Sequence, residues 1–165
     1  VAVTRATLVG ARTGSDWATP AAVPELAPQQ CAPIDPPDRP AAFDRAVGVL
    51  DPSSLPFSGQ DAAVVRGYVR PHTDRPIDAA WLTMICDWFP PPAFVRVAPP
   101  TGGISVDLVT HVHTTLPSLG GDWLAAEFRV DQSRAGLAVE HGWIATRDGR
   151  VLAESFHTRW TAAPA

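Results

Sequence analysis

The residues with the most chemical reach in this sequence fall in three places, each on a stretch with a clear period. Asp87 borders the apolar stripe of Ile77, Ala80, Trp81, Met84, Ile85 and Trp88, whose spacing is that of an amphipathic helix. A carboxylate at that margin needs a reason: either it accepts hydrogen bonds from a neighbouring loop, or it works as a base. Ser105, Asp107, Val109, His111 and His113 alternate with Ile104, Val106, Leu108, Thr110 and Val112. On a strand this gives one apolar face and one face carrying hydroxyl, carboxylate and imidazole groups. That polar face is either the solvated side of an antiparallel sheet or the wall of a site. His111-Val112-His113 also has the spacing that lets two imidazoles share a metal, but a metal needs further ligands from elsewhere, and the signal is weak. In the last stretch Val151, Ala153, Ser155, His157 and Arg159 share one strand face, and Leu152, Glu154, Phe156, Thr158 and Trp160 share the other. His157 there is either a hydrogen-bonded structural imidazole or a catalytic one.

The elements that must hold these groups follow from the same periods. Ala63, Val65, Gly67 and Val69 alternate with Val64, Arg66, Tyr68 and Arg70 and predict a strand. A helix comes next, with Thr73 and Asp74 as N-cap candidates and Pro76 suited to its first turn; Pro90-Pro91-Pro92 stops it. Three long β runs follow at about 104–115, 122–131 and 136–160, the last folded back by the turn dipeptide Asp148-Gly149. One helix with a long antiparallel sheet predicts an α+β layer architecture. Residues 11–60 carry half of the 18 prolines and keep neither period for long, which predicts a segment that wraps over a surface. Val1, Val3, Ala6 and Leu8 resemble a strand that needs a sheet to join, and a start at Val1 without Met suggests a piece of something longer.

Composition narrows the function classes. At 165 residues the chain can bury one ordinary core. A hydrophobic share of 45% against 18% charged places it among folding sequences. The net charge of -4, with 13 scattered Lys and Arg, offers no cationic footprint for nucleic acid. No apolar run approaches the roughly 20 residues that span a bilayer, and no signal-like segment opens the chain, so no membrane span is predicted and the cytoplasm is the expected location. Cys31 and Cys86 sit in unlike settings without CxxC spacing and are read as free thiols. No cofactor is called for.

Taken in order, the candidate residues resemble the second repeat of the acyl-CoA thioesterase II family, over about residues 61–162. That family's helix carries a pattern like H-Q-x-x-L-A-Y-x-S-D, and Asp78-Ala79-Ala80-Trp81-Leu82-Thr83-Met84-Ile85-Cys86-Asp87 meets it at Leu82 and Asp87, with Asp78 in place of the His. Its next strand reads like (S/T)-L-D-H-x-x-W-F-H, of which Ser105, Asp107 and His113 keep the first, third and last members. The stretches Asp122-Trp123-Leu124, Ser133-Arg134-Ala135-Gly136-Leu137 and Arg147-Asp148-Gly149-Arg150-Val151-Leu152-Ala153 are similar as well.

The resemblance implies a hotdog fold, a long helix packed on an antiparallel sheet, forming the C-terminal half of a double hotdog. It implies residues 1–10 as the last strand of an N-terminal hotdog repeat, 11–60 as the inter-repeat linker, and 61–165 as the C-terminal hotdog domain. It implies acyl-CoA as substrate, hydrolysed to free acid and CoA, and as partners the N-terminal repeat of the same protein and further copies in a homo-oligomer. The family's catalytic Asp, Ser or Thr, and Gln fall on Asp87, Ser105 and His157, the last a departure because His replaces Gln. With no activated Ser or Cys evident from sequence, direct attack by water is the simpler mechanism. The alternative is a non-catalytic hotdog that binds acyl groups or acyl-CoA.

Overall fold

The computed structural model describes Arg5 and residues 17–36, 40–97 and 103–162; apart from Arg5, the opening strand expected at Val1 to Leu8 lies outside them. Among the described residues seven strands form one antiparallel sheet: β1 (Ala32–Pro33), β2 (Ala46–Leu50), β3 (Ala63–Pro71), β4 (Gly103–Val112), β5 (Leu124–Arg134), β6 (Leu137–Ala145) and β7 (Val151–Thr161). Their order across the sheet is β1-β2-β3-β5-β6-β7-β4. One helix, α1 (Ala79–Trp88), lies between β3 and β4 in the chain and covers one face. The connection through it carries the chain across the sheet, so that β4 forms the edge beside β7. This is the hotdog arrangement expected from the sequence.

The helix forms where its apolar stripe was read but starts later. Asp78, not Thr73 or Asp74, is the N-cap: its Oδ1 accepts from the Trp81 backbone N–H at 2.8 Å, and Arg75 Nη2 donates to its other oxygen at 2.9 Å. The reason is local. Ile77 ahead of it is bound to Leu116 through both its N–H and its carbonyl, an extended bridge that keeps the helix from beginning earlier. Trp81, Leu82, Ile85, Cys86 and Trp88 are buried against Val65, Val69, Leu124, Phe128, Ile144 and Leu152 of the sheet. Each fully buried Leu, Ile or Val is worth about 1.5–3 kcal/mol of apolar burial, which fixes the helix on the sheet and with it the direction of Asp87.

The Pro-rich stretch is more structured than its composition predicts. Ala46, Gly48 and Leu50 are buried and β2 pairs with β3 over its whole length, while short 3-10 turns at Pro28–Gln30, Ala41–Arg45 and Pro52–Ser54 fold the rest. The sheet therefore begins ahead of residue 61. Two β-branched residues and a glycine in five positions are too brief a signal to stand out among prolines. The turn at Asp148-Gly149 is where the sequence places it, with Gly149 at φ +87° and its N–H donating to the Thr146 carbonyl.

Candidate active site

Strand β4 contains a bulge that reorganises its two faces. Ser105 lies opposite Arg159 of β7 while Asp107 lies opposite Thr158, so Val106 is an extra residue with no cross-strand partner. One inserted residue reverses the alternation on either side of it. Beyond the bulge Leu108, Thr110 and Val112 point toward α1 and Asp107, Val109, His111 and His113 point away; before it, Ser105 points toward α1. The expectation that Ser105 shares a face with Asp107, His111 and His113 is thus corrected. Asp107 accepts from the Thr158 N–H at 3.2 Å, and the Thr158 bonds hold its carboxyl below the usual carboxylate range.

The bulge brings together the three residues singled out by the sequence. His157 is buried on the helix-facing side of β7, and its Nε2 is 2.9 Å from Ser105 Oγ. Its Nδ1 is 3.6 Å from Asp87 Oδ1 on the last turn of α1, beyond hydrogen-bond length but within ion-pair reach. With the proton on Nδ1, facing Asp87, the Nε2 lone pair is free to accept the Ser105 hydroxyl hydrogen. Asp87 itself is half exposed, so it meets both the buried imidazole and solvent. Burial, and then the positive charge of Arg159, push the His157 pKa below its usual 6.5, against the opposing pull of Asp87 and Asp107. The imidazole is therefore neutral at neutral pH and able to take up a proton.

Two charged residues that the sequence did not single out complete the site. Arg159 Nη2 donates to Asp87 Oδ1 at 2.8 Å, and its Nε lies 2.8 Å from Glu140 Oε1, close as an ion pair though not aligned as a hydrogen bond. Glu140 is buried on β6, directly across from His157. Burial outweighs Arg159 there and pushes the Glu140 carboxyl up to about 7. The available signal was Glu140 alternating with the inward positions of its own strand, Ala138 and Gly142. Neither cysteine competes as a nucleophile. Cys86, buried behind the site, has its thiol pushed up to about 11 by burial, and the half-buried Cys31 is also raised.

Two concavities border these groups, and a third lies beyond them. An apolar cavity of about 550 Å³ has Asp87 and Arg159 in its wall. A smaller cleft of about 210 Å³ contains Ser105 and shares Arg159, Pro91 and Phe94 with it. A third of about 750 Å³, which includes Arg96, shares Trp160 and Thr161 with the small cleft. Asp87 and Ser105 thus border neighbouring hollows that meet at Arg159, Pro91 and Phe94, with His157 buried behind them. On the opposite side of the sheet His113 Nε2 is 2.8 Å from Glu154 Oε2, and among the described residues no three His, Cys, Asp or Glu side chains converge as metal ligands. Among the same residues no helix is long and apolar enough to cross a membrane.

A helix laid on an antiparallel sheet in this strand order defines a hotdog protein. Residues 28–160 match the family model for the acyl-CoA thioesterase C-terminal domain, and the chain belongs to that family. Solved structures agree on the fold. A conserved hotdog protein of unknown function from Alicyclobacillus acidocaldarius superposes with a TM-score of 0.78 at 20% identity, over 93% of this chain and 60% of that one. An acyl-CoA thioesterase II from Mycobacterium marinum gives 0.56 at 18%, over 87% and 60%. A hypothetical thioesterase from Streptococcus pneumoniae, solved with coenzyme A, gives 0.50 at 13%, over 74% and 90%. The chain spans about three fifths of the length of the first two. No protein of curated function matches the sequence.

Proposed function

We propose that this protein hydrolyses acyl-CoA thioesters, and that Asp87, Ser105 and His157 carry the reaction. The observation that supports it best is their convergence, with a neutral buried imidazole between a hydroxyl and a carboxylate that borders an apolar cavity. Water adds to the thioester carbonyl carbon as its proton passes to Asp87. Ser105 and His157, joined by their hydrogen bond, hold that water from the other side. The C–S bond then breaks and the CoA thiolate is protonated, closing the cycle with free acid and CoA. Arg159 holds Asp87 through one oxygen and leaves the other for water.

A second mechanistic reading is favoured by the 2.9 Å contact between Ser105 and His157. In it Ser105 Oγ attacks, its proton goes to Nε2, and an acyl ester forms and is later hydrolysed. Trapping that ester on Ser105 by mass spectrometry during turnover supports this route; steady release without a burst supports direct water attack.

The open edge of β4, with Ile104, Val106 and Val109 exposed, supports a second hotdog unit joining there, either the N-terminal repeat of the same protein or another copy. We place the protein in the cytoplasm, where acyl-CoA is met. The test is release of CoA thiol from acyl-CoA by the intact protein. Saturable binding without turnover would replace the enzyme by a non-catalytic acyl-binding hotdog.

A further inference from the structure

We propose that the apolar cavity between the Pro-rich segment and the end of α1 holds the hydrocarbon chain of the acyl group, so that Ile34, Leu50, Leu55 and Phe57 in its wall set which chain lengths are accepted. The inference rests on the thioesterase reading and adds a substrate orientation to it. A carbonyl carbon held beside Asp87 and Ser105 has two hollows next to it. One is the cleft that passes Ser105 toward Trp160; the other is the cavity that Asp87 and Arg159 border. The chemistry of the walls separates them. Among the described residues, Asp35, Asp87 and Arg159 are the charged ones lining the cavity, the last two at its reactive end, and the others are Pro, Ile, Leu, Phe and Trp. A polar arm lying there would leave its amides and hydroxyls unpaired against hydrocarbon, whereas an alkyl chain loses only water. The CoA arm therefore takes the Trp160 side. A volume of about 550 Å³ is ordinary for a small-molecule site, which runs from about 300 to 1,000 Å³.

The cavity is also built, not left over. Trp88 forms one wall, with Phe43 against it at 4.6 Å between ring centroids, and it can lie flat on β2 because residue 48 is glycine: a Cβ there would collide with the indole. Phe57 forms another wall. It holds a left-handed backbone, φ +61°, that an aromatic residue rarely adopts, and is kept there by its N–H bond to the Phe94 carbonyl and by stacking on the Phe94 ring at 5.3 Å. Strain of this kind costs about 1–3 kcal/mol and tends to gather where a ligand is gripped.

The test uses two wall variants of the intact protein, checked for folding by circular dichroism. Leu55→Trp fills the cavity; Phe57→Ala, at an exposed position, removes a wall and serves if Leu55→Trp does not fold. Two measurements are made: kcat/KM for decanoyl-CoA relative to acetyl-CoA, and affinity for the non-hydrolysable S-decyl-CoA relative to S-ethyl-CoA. The inference expects Leu55→Trp to lower both ratios at least about tenfold, the scale on which apolar pockets discriminate by a methylene or more, and Phe57→Ala to lower both in the same direction. Hydrolysis with unchanged ratios in the folded variants overturns the inference and leaves the enzyme standing. A wild-type protein that hydrolyses neither ester, yet prefers S-decyl-CoA until the cavity is altered, keeps the acyl cavity and removes the enzyme. No wild-type preference between the two thioethers overturns the inference outright.

Discussion

The two faces of the sheet where β7 meets its neighbours carry nearly the same chemical types and do different things with them. On the helix side Ser105, His157, Asp87, Arg159 and Glu140 form one connected set, with His157 and Glu140 buried. On the other side His113, His141 and Glu154 also meet, with His113 at 2.8 Å and His141 at 3.8 Å from the carboxylate, and His141 stacks on Phe156. All three of those side chains are well exposed. Water screens their charges, so such a pair is worth roughly 0–1 kcal/mol. On the covered face the same groups alter one another's protonation, because little water stands between them. Burial and strand phase, and not the presence of His and Glu, separate a reactive cluster from a decorated surface.

The largest effect that this contrast predicts is at Asp87. Asp87→Asn in the intact protein lowers kcat at least about a hundredfold, the scale on which a general base acts, while circular dichroism and melting stay near wild type. Near-normal turnover would remove Asp87 from the reaction. Ser105→Ala comes next. It removes the hydroxyl that lies 2.9 Å from His157 Nε2, so activity falls at least about tenfold, as removal of a positioned catalytic contact does; a fully active variant would show that the contact brought in by the bulge does not matter.

His157 gives a graded result. His157→Ala loses most activity, whereas His157→Gln keeps a substantial part if the imidazole chiefly holds water; equal, severe losses argue for proton transfer. The pH profile sharpens this. Since the folded pKa of His157 lies below 6.5, activity that needs the neutral ring is complete above that value and falls as pH drops through the lowered pKa. In His157→Gln that acid limb should be gone. The smallest effect belongs to the outer cluster: Glu154→Gln should leave kcat/KM unchanged and shift stability by less than about 1 kcal/mol in a denaturant titration. A large loss of activity there would erase the distinction between the two faces.

Much of this is legible in the sequence. The stripe from Ile77 to Trp88 located the helix because most of the energy that holds it comes from one apolar face. Strand β7 is regular through His157 and Arg159, and simple alternation puts both on one face; that this is the covered face comes from the packing of α1. Strand β4 was legible as a strand but not in phase, because a bulge leaves no mark on the hydrophobic pattern when the inserted residue is another valine. The N-cap was misplaced for a similar reason: Thr73, Asp74 and Asp78 are all competent caps, and the choice was made by the bridge of Ile77 to Leu116, a contact distant in sequence. Arg159 and Glu140 were visible as letters, but their pairing depends on the register between β6 and β7, which side-chain periods do not encode.

The two shielded thiols have a practical corollary for measuring turnover. Chromogenic disulfide reagents react with thiolates, and a sulfhydryl titrating near 11 inside the core offers almost none at assay pH. Cys31 is half-buried and raised as well, so the core thiol should be silent toward such a dye while CoA set free by hydrolysis colours it at once. Heating or denaturant would then expose Cys86 and add its own colour, so that one reagent could follow catalysis in the folded protein and loss of the fold in the same cuvette.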